Sequence, residues 1–319
     1  MSPKISAIIP LYNKGPHIAR AINSVLAQTV QDFEIIVVDD HSSDEGPEIV
    51  KSYNDSRISF IEQDHHGVSY TRNHGVDLAK SDFIAFLDAD DEWMPNHLEI
   101  LLSLKIKYPQ AGLYASCFVI NESGKLIQFK NRMMKINRED GLIHRYFLVA
   151  AIDEPIITTA VGITKKIFYE MGGFPTEISY GEDMVLWGNI ALKYPVAYSS
   201  NIGAIYHFDS VNRTSEIRDY HYSPYPFIEY AKKAIVKKEM TPQMLRDINE
   251  YIARKELYRA YNFLAKGNKQ EATKIIATVK TRFFLIDKLK LKFLILLPSP
   301  IYKFLKTYRG QLLMYWRKL

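Results

Sequence analysis

Through roughly the first 90 positions, short apolar runs rich in β-branched residues alternate with amphipathic stretches. KISAIIPLY and FEIIVVDD each close on polar residues, as buried parallel strands do. Between them, HIARAINSVLAQT sets Ile18, Ile22, Val25 and Leu26 at helical spacing, the pattern of an amphipathic crossover helix. SDEGPEIVKSY opens a second helix, RISFIEQ reads as a third strand, GVSYTRNHGVDLAKS as a third helix and DFIAFLDAD as a fourth strand. This alternation predicts an α/β fold built on a Rossmann-like, doubly wound, mostly parallel sheet. From Arg246 onward, MLRDINEYIARKELYRAYNFLAKGN and KQEATKIIATVKTRFF predict paired antiparallel helices joined at a Gly-Asn turn. The Ser-, Pro- and Tyr-rich stretch DSVNRTSEIRDYHYSPYP marks the weakest boundary, dividing the chain into 1–215 and a helical, basic-amphipathic region 216–319.

In doubly wound sheets, ligands gather beyond the carboxyl ends of the strands. Asp39-Asp40 and Asp88-Ala89-Asp90 both fall at such ends. The second group continues into Asp91 and Glu92, and carboxylates this close repel one another unless something compensates them. Asp-X-Asp at a strand end is a ligand pair for Mg²⁺ or Mn²⁺, hard ions that prefer oxygen and share their shell with phosphates. In an extended chain Asp88 and Asp90 would share one side and Asp91 would point away. A solvated turn, or acids favouring the dipole of the helix that follows in MPNHLEILLSLKIK, accounts for the same residues.

Composition narrows the class. The chain has 319 residues, 47% hydrophobic and 13% aromatic, enough for a real core, and its one cysteine excludes an internal disulfide framework. The apolar run in MSPKISAIIPLYNKG is too short for a signal-peptide core, and no window reaches about 18 apolar residues, so a cytoplasmic protein without a spanning helix is expected. The net charge of +5 is unevenly placed: residues 281–319 hold nine Lys or Arg against Asp287 alone, leaving the rest net negative. That distribution argues against a nucleic-acid-binding face. It suits a tail lying on a membrane surface, apolar side down, although a helical cap or an oligomer interface would show the same residues.

ISAIIPLYNKGPHIARAINSVLAQT, EIIVVDDHSSDEG, YTRNHGVDLAKSDFIAFLDADD and MGGFPTEISYGEDMVLW stand in an order and spacing that resemble family 2 glycosyltransferases over residues 3 to 215. The resemblance implies the GT-A fold, with nucleotide-sugar binding over about 1–115 and the acceptor-binding, catalytic half over about 116–215. It also implies inverting transfer of a hexosyl or N-acetylhexosaminyl group from a nucleotide sugar, UDP-linked, to a saccharide hydroxyl, with Mn²⁺ or Mg²⁺ as cofactor. A lipid-linked acceptor in surface-polysaccharide or glycan assembly goes with a membrane-bound tail.

At matching positions, Pro10, Tyr12 and Asn13 fall in the first-strand motif near the nucleotide base, and Asp40 matches the uracil or ribose contact. Asp39 is equally a loop-stabilising residue, and His41 stands where the family usually has Gly. Arg72, followed by Asn73, could pair with nucleotide or phosphate through its guanidinium fork. Asp90 matches the direct metal ligand, and Asp88 the residue nearer the ribose that shares the metal with it; Ala89 lies between them. Asp183 matches the catalytic base, with Glu182 orienting it or binding the acceptor. Gly172, Gly173 and Phe174 supply the upstream loop, and Trp187 could stack on a sugar or fill the core. His207 and Arg213, in YHFDSVNRTS, occupy the place of a diphosphate-closing loop whose usual Arg and His are here His207 and Asp209. A sugar nucleotidyltransferase lacks support because PLYNKGPHI is a poor phosphate loop, and a dehydrogenase because no G-x-G-x-x-G opens the first helix. A non-catalytic glycan-binding or membrane-surface scaffold would be favoured by loss of the acidic motifs, which are intact.

Overall fold

The computed structural model describes residues 2–127, 140–152, 155–208, 210, 223–237 and 240–297. Its first half follows the expected alternation: β1 (Ile5–Leu11), α1 (Gly15–Leu26), β2 (Phe33–Asp39), α2 (Gly46–Lys51), β3 (Ile58–Glu62), α3 (Val68–Leu78) and β4 (Phe83–Phe86). These four strands run parallel in the order β3-β2-β1-β4. Then come β5 (Glu92–Trp93), α4 (His97–Lys107), β6 (Leu113–Glu122), β7 (Lys125–Ile127), β8 (Gly141–Leu142), α5 (Tyr146–Ile152), β9 (Val161–Thr164), α6 (Lys165–Glu170), α7 (Glu182–Lys193) and β10 (Val196–His207). The sheet continues β4-β9-β6-β10-β5, and β9 lies antiparallel between β4 and β6. The second half is therefore mixed rather than parallel, although β6 and β10 pair parallel.

Strand alternation divides the core into two layers. Ile5, Ala7, Ile9 and Leu11 face one side with α1 and α4, while Ile8 faces the other with Val76 of α3 and Val185 and Leu186 of α7. The helices α8 (Phe227–Lys237), α9 (Pro242–Ala265), α10 (Lys269–Thr278) and α11 (Leu285–Leu296) follow. Gly267, at φ +87°, and the Asn268 side chain, which accepts from Glu271 N–H, make the expected turn between α9 and α10. Phe227, Ile248, Tyr251 and Leu257 join the same apolar cluster as α7, so the helical region packs against the sheet through a shared core. The boundary expected at 215 lies outside the described residues. Among the described residues no helix is long and apolar enough to cross a membrane.

Candidate active site

A cleft of about 1100 Å³ opens beyond the carboxyl ends of β1 and β4, the position that doubly wound sheets reserve for ligands. Pro10, Tyr12, Asp40, Arg72, Asp88, Ala89, Asp90, Glu182 and Asp183, each singled out from sequence, line it. Asn13, Asp39, Gly172, Gly173, Phe174, Trp187 and His207 do not. Arg213 lies outside the described residues, as does Asp209.

β4 ends at Phe86, earlier than expected, because Asp91 N–H donates to Asp88 C=O at 3.0 Å and closes a tight turn over the acidic residues. Extended alternation therefore does not set which way the acids point; the turn and the partners of each acid do. Asp88 Oδ1 accepts from Arg72 Nη2 at 2.6 Å, and Asp90 Oδ2 accepts from Lys14 Nζ at 2.7 Å. The Ser210 hydroxyl also donates to Asp90, and Arg20 to its carbonyl. Asp91 is fully buried, taking the Thr159 hydroxyl at 2.5 Å and His207 N–H at 3.0 Å. Glu92 enters strand β5 and meets His207 Nε2 at 3.3 Å. Burial, reinforced by the Asp90 and Asp88 charges, holds the Asp91 carboxyl well above the usual carboxylate range. Burial pushes Asp90 the same way, but the Lys14 ammonium outweighs it and the net shift is downward.

Arg72 is the centre of the site. Its guanidinium is buried, donates from Nη1 to Glu182 Oε1 at 2.7 Å and from Nη2 to Asp88, and lies over the Phe174 ring at 5.1 Å. Burial would lower its pKa; the two carboxylates outweigh that and raise it. The fork proposed for a phosphate thus ties the end of β4 to the start of α7. The next residue does parallel work: Asn73 accepts from Phe174 N–H and donates to its carbonyl, both at 2.9 Å. That pair pins the Gly-Gly-Phe loop, where Gly172 and Gly173 take φ +84° and +68°, values open to glycine without strain. Phe174 and Trp187 are about 1–2% exposed and pack on each other and on Phe86, so both form the floor beneath the cleft rather than a stacking surface for sugar.

At the start of α7, Gly181 takes φ +72° and puts Glu182 and Asp183 in the first turn, where the helix dipole favours negative charge. Asp183 Oδ2 accepts from the Thr158 hydroxyl at 3.2 Å and Oδ1 from Met184 N–H at 2.7 Å, which fixes the carboxylate at the cleft wall.

On the opposite side, Asp40 holds a loop. Its carboxylate accepts from Gln63 Nε2, His66 N–H and Gly67 N–H at 2.8–2.9 Å and meets His65 Nδ1 at 2.9 Å. His65 in turn lies 4.5 Å from the half-exposed Tyr12 ring. Asp39 Oδ2 accepts from Ser42 N–H, and Asn13 Oδ1 accepts from Ser43 N–H, so both stabilise the loop beside β2. His41 takes φ +68°, the left-handed conformation that glycine would hold more easily. The His207 imidazole lies against Glu92 and Asn121, away from the cleft.

Five residues at the cleft were not singled out as site residues from the sequence. Lys14 follows the Tyr-Asn motif directly, but only the fold brings it to Asp90, 76 positions away. His65 carries no local signal. Arg254, Lys255 and Tyr258 of α9 line the cleft from a helix readable only as an amphipathic segment.

Asp88 and Asp90 offer only oxygen donors to the cleft, which fits a hard divalent ion. Among the described residues no cluster of three or more His, Cys, Asp or Glu could chelate one alone, so ligand oxygens or water would complete its shell.

The model of the family described as Glycosyl transferase family 2 matches residues 6–170, more than half of the chain. The GalNAc(5)-diNAcBac-PP-undecaprenol beta-1,3-glucosyltransferase of Campylobacter jejuni is 31% identical over 192 residues, 59% of this chain and 60% of that protein. The UDP-Glc:alpha-D-GlcNAc-diphosphoundecaprenol beta-1,3-glucosyltransferase WfgD of Escherichia coli is 36% identical over 126 residues, 39% and 50% respectively. An uncharacterized glycosyltransferase of Rickettsia conorii is 35% identical over 60% of this chain but only 30% of its own length. The chain thus spans less than two thirds of these relatives. Among solved structures, S. aureus TarS 1-349 in complex with UDP-GlcNAc superposes with a TM-score of 0.66 at 18% identity, covering 87% of this chain and 82% of that one. The mannosyltransferase PcManGT of Pyrobaculum calidifontis, in complex with GDP-Man and Mn²⁺, gives 0.62 at 17%, covering 98% and 86%. At those identities the likeness is one of fold, the GT-A fold. A family match over residues 6–170, more than half of the chain, which contains the Asp88-Ala89-Asp90 turn and Arg72, assigns the chain to glycosyltransferase family 2.

Proposed function

We propose that the protein transfers a sugar, with inversion, from a UDP-linked donor to a saccharide hydroxyl on a lipid-diphosphate carrier. One observation carries this reading: the buried Arg72 guanidinium joins Asp88, at the donor end of the cleft, to Glu182, next to Asp183. Nucleotide-side and acceptor-side carboxylates therefore sit at a fixed separation across one cavity. Tyr12, His65 and the loop held by Asp40 form the base-binding side. Asp183, oriented by Thr158, accepts the proton of the attacking hydroxyl. Asp88 and Asp90 would hold Mg²⁺ or Mn²⁺, which supplies charge stabilisation for the departing diphosphate. Lys14 and Arg72 contribute fixed positive charge at the same place. The Campylobacter jejuni and Escherichia coli relatives act, by their names, on diphosphoundecaprenol-linked saccharides, which supports the acceptor class.

Membrane contact belongs to the same reading. At 100° per residue, Leu285, Ile286, Leu289, Phe293 and Leu296 form one stripe of α11, each 49–80% exposed, and the exposed Lys290 and Lys292 fall on its two borders. An apolar stripe edged with lysine suits the interface of an anionic bilayer.

The test is nucleoside-diphosphate release from a panel of nucleotide sugars, with and without a lipid-diphosphate saccharide. Wild type should turn over one UDP-sugar, and Asp183→Asn should lower kcat by at least about 100-fold while leaving UDP binding within about twofold. Release undiminished in Asp183→Asn would remove that residue from the chemistry; no release or UDP binding at all would reject the transferase reading.

A further inference from the structure

A chamber of about 70 Å³ adjoins the main cleft at the candidate base, because Ala150, Ile157, Asp183, Met184 and Lys255 line both. Its charged groups, Asp183 and Lys255, thus stand where the two cavities meet. The inner wall is aromatic and aliphatic: Phe147 of α5, Ile156, Trp187 of α7, Phe227 of α8 and Tyr251 of α9, each 7% exposed or less. The Phe147 and Phe227 rings stack nearly parallel at 5.6 Å. Phe227 also closes directly on the backbone of α7, since a Cβ added at Gly188 would come within 2.3 Å of its ring. These contacts keep the chamber formed without a ligand. One polar atom of this wall is unsatisfied. Trp187 Nε1 is buried and donates to no group among the described residues, and the Phe86 and Phe174 rings packed on the indole offer it no oxygen. A buried indole N–H ordinarily has a partner, and leaving it without one is costly. Trp187 stands one helical turn after Asp183, so the two side chains share a face of α7, with Cβ atoms about 5–6 Å apart.

We infer that the chamber receives an acetamido group of the acceptor sugar, whose carbonyl accepts from Trp187 Nε1–H and whose methyl meets the aromatic wall. Size, polarity and position agree. An apolar cavity of about 150 Å³ takes the six carbons of benzene. On that scale 70 Å³ takes about three heavy atoms, the number in an acetyl group. A hydroxyl, with one heavy atom, would leave most of the space unfilled. A single indole donor among aromatic and aliphatic side chains matches one carbonyl oxygen beside one methyl. Position follows from the helix: with the attacking hydroxyl at Asp183, another substituent of the same ring reaches one turn further along α7. The sugar is then held at two points, which fixes its hydroxyl against the base. The chamber thereby selects an N-acetylated acceptor over its plain hexose counterpart. The inference rests on the transferase reading for its ligand being the acceptor, and the binding experiment below separates the two.

Two pairs of probes are titrated calorimetrically into the full chain with UDP present: N-acetylglucosamine against glucose, and N-acetylgalactosamine against galactose, each joined through a diphosphate to the same short alkyl chain. In at least one pair the acetamido member should bind about 10- to 50-fold more tightly, the worth of one buried methyl and one hydrogen bond. Trp187→Phe, which keeps an aromatic ring and removes the N–H, should cut that ratio to about fivefold or less. Ala150→Leu, which fills the chamber where it meets the cleft and leaves the indole in place, should also cut it and serves if Trp187→Phe does not fold. The chain has three tryptophans, so the Trp187 indole signal in heteronuclear NMR spectra is identified by its loss in Trp187→Phe. That signal should move with the acetamido probe and stay with the hydroxyl one. A ratio near one in both pairs, or no binding of any probe, overturns the inference. So does a ratio that survives both variants, or an equal loss of both members of a pair, which would mark a structural role. An indole signal that no probe moves would leave the chamber to water only and overturns it too. If the ratio behaves as expected while no nucleotide sugar is turned over, the chamber stands and the transferase reading falls; turnover with a ratio near one does the reverse.

Discussion

Replacing Arg72 by Met removes the guanidinium that holds Asp88 and Glu182 together. The side chain is about 5% exposed, so the two carboxylates, Asp88 about 28% and Glu182 about 12% exposed, are left facing each other with little water to screen them. Breaking a buried pair by deleting one partner costs about 3–5 kcal/mol. The contact with Phe174 adds roughly 0.5–1 kcal/mol, and Met restores part of that packing. The lost charge dominates, and about 3–4 kcal/mol is expected near pH 7. For a chain of this length that corresponds to a fall in Tm of roughly 6–12 °C, at about 2–3 °C per kcal/mol. Two variants give the number its meaning. Arg72→Met with Glu182→Gln removes one of the stranded charges and should recover about half of the loss. Arg72→Lys retains a cation that cannot span both carboxylates and should fall between wild type and Met. Urea denaturation at pH 7 measures all four proteins on one scale. The deficit of Arg72→Met should also shrink toward pH 5, because protonating a stranded carboxylate relieves the repulsion. A deficit below about 1 kcal/mol, or no recovery on adding Glu182→Gln, would refute the clamp as the element that holds the two halves of the cleft.

Two further outcomes follow from the same coordinates. His97 is fully buried against Trp93, its Nδ1 is 3.1 Å from Ser116 Oγ, and burial lowers its pKa to about 3. Its folded pKa lies below the unfolded value near 6.5, so the unfolded chain binds the proton first and stability falls as pH drops from about 6.5 toward 3. Between pH 6.5 and 5 this amounts to about 2 kcal/mol, and His97→Asn should flatten that part of the stability–pH profile; an unchanged slope would exclude His97 as its source. On α11, the pair Leu289→Glu and Phe293→Glu should lower co-sedimentation with vesicles containing anionic lipid by at least about tenfold, and partitioning equal to wild type would reject that face as the membrane contact.

Periodicity made the first half of the fold legible. Residues 5–11 and 33–39 had to be strands because every other side chain needed a separate core layer, and Ile18, Ile22 and Val25 had to share a helix face. The mixed second half was not legible, because Val161–Thr164 is a short run whose antiparallel place between β4 and β6 depends on partners far along the chain. The site divides in the same way. Motif residues at strand ends were visible because topology alone assigns them to the cleft. Their pairings were not, since Arg72 meets Glu182 across 110 positions and Lys14 meets Asp90 across 76. Trp187 shows the limit: one turn after Asp183 is compatible with cleft or core, and only the packing of Phe86 and Phe174 decides for the core.

The acidic run after β4 shows how a chain can tolerate carboxylates at such spacing. From sequence, a divalent ion with a nucleotide diphosphate was the natural compensation. The fold supplies a nearer one, because the four acids among these five residues sit in different environments. Asp88 has Arg72, Asp90 has Lys14, Asp91 has hydroxyl and amide donors and a raised pKa that favours its neutral form, and Glu92 turns away along β5 toward His207. Folding of the turn therefore rests on the protein's own donors. The same arrangement prepares the cleft for ligand, because Lys14 and Arg72 line it beside Asp88 and Asp90. An incoming diphosphate meets positive charge already held in position, and the carboxylates that hold it are those suited to a hard cation. Stability and donor recognition thus draw on one set of contacts, which is why Asp88 and Asp90 satisfy both demands without a separate structural site.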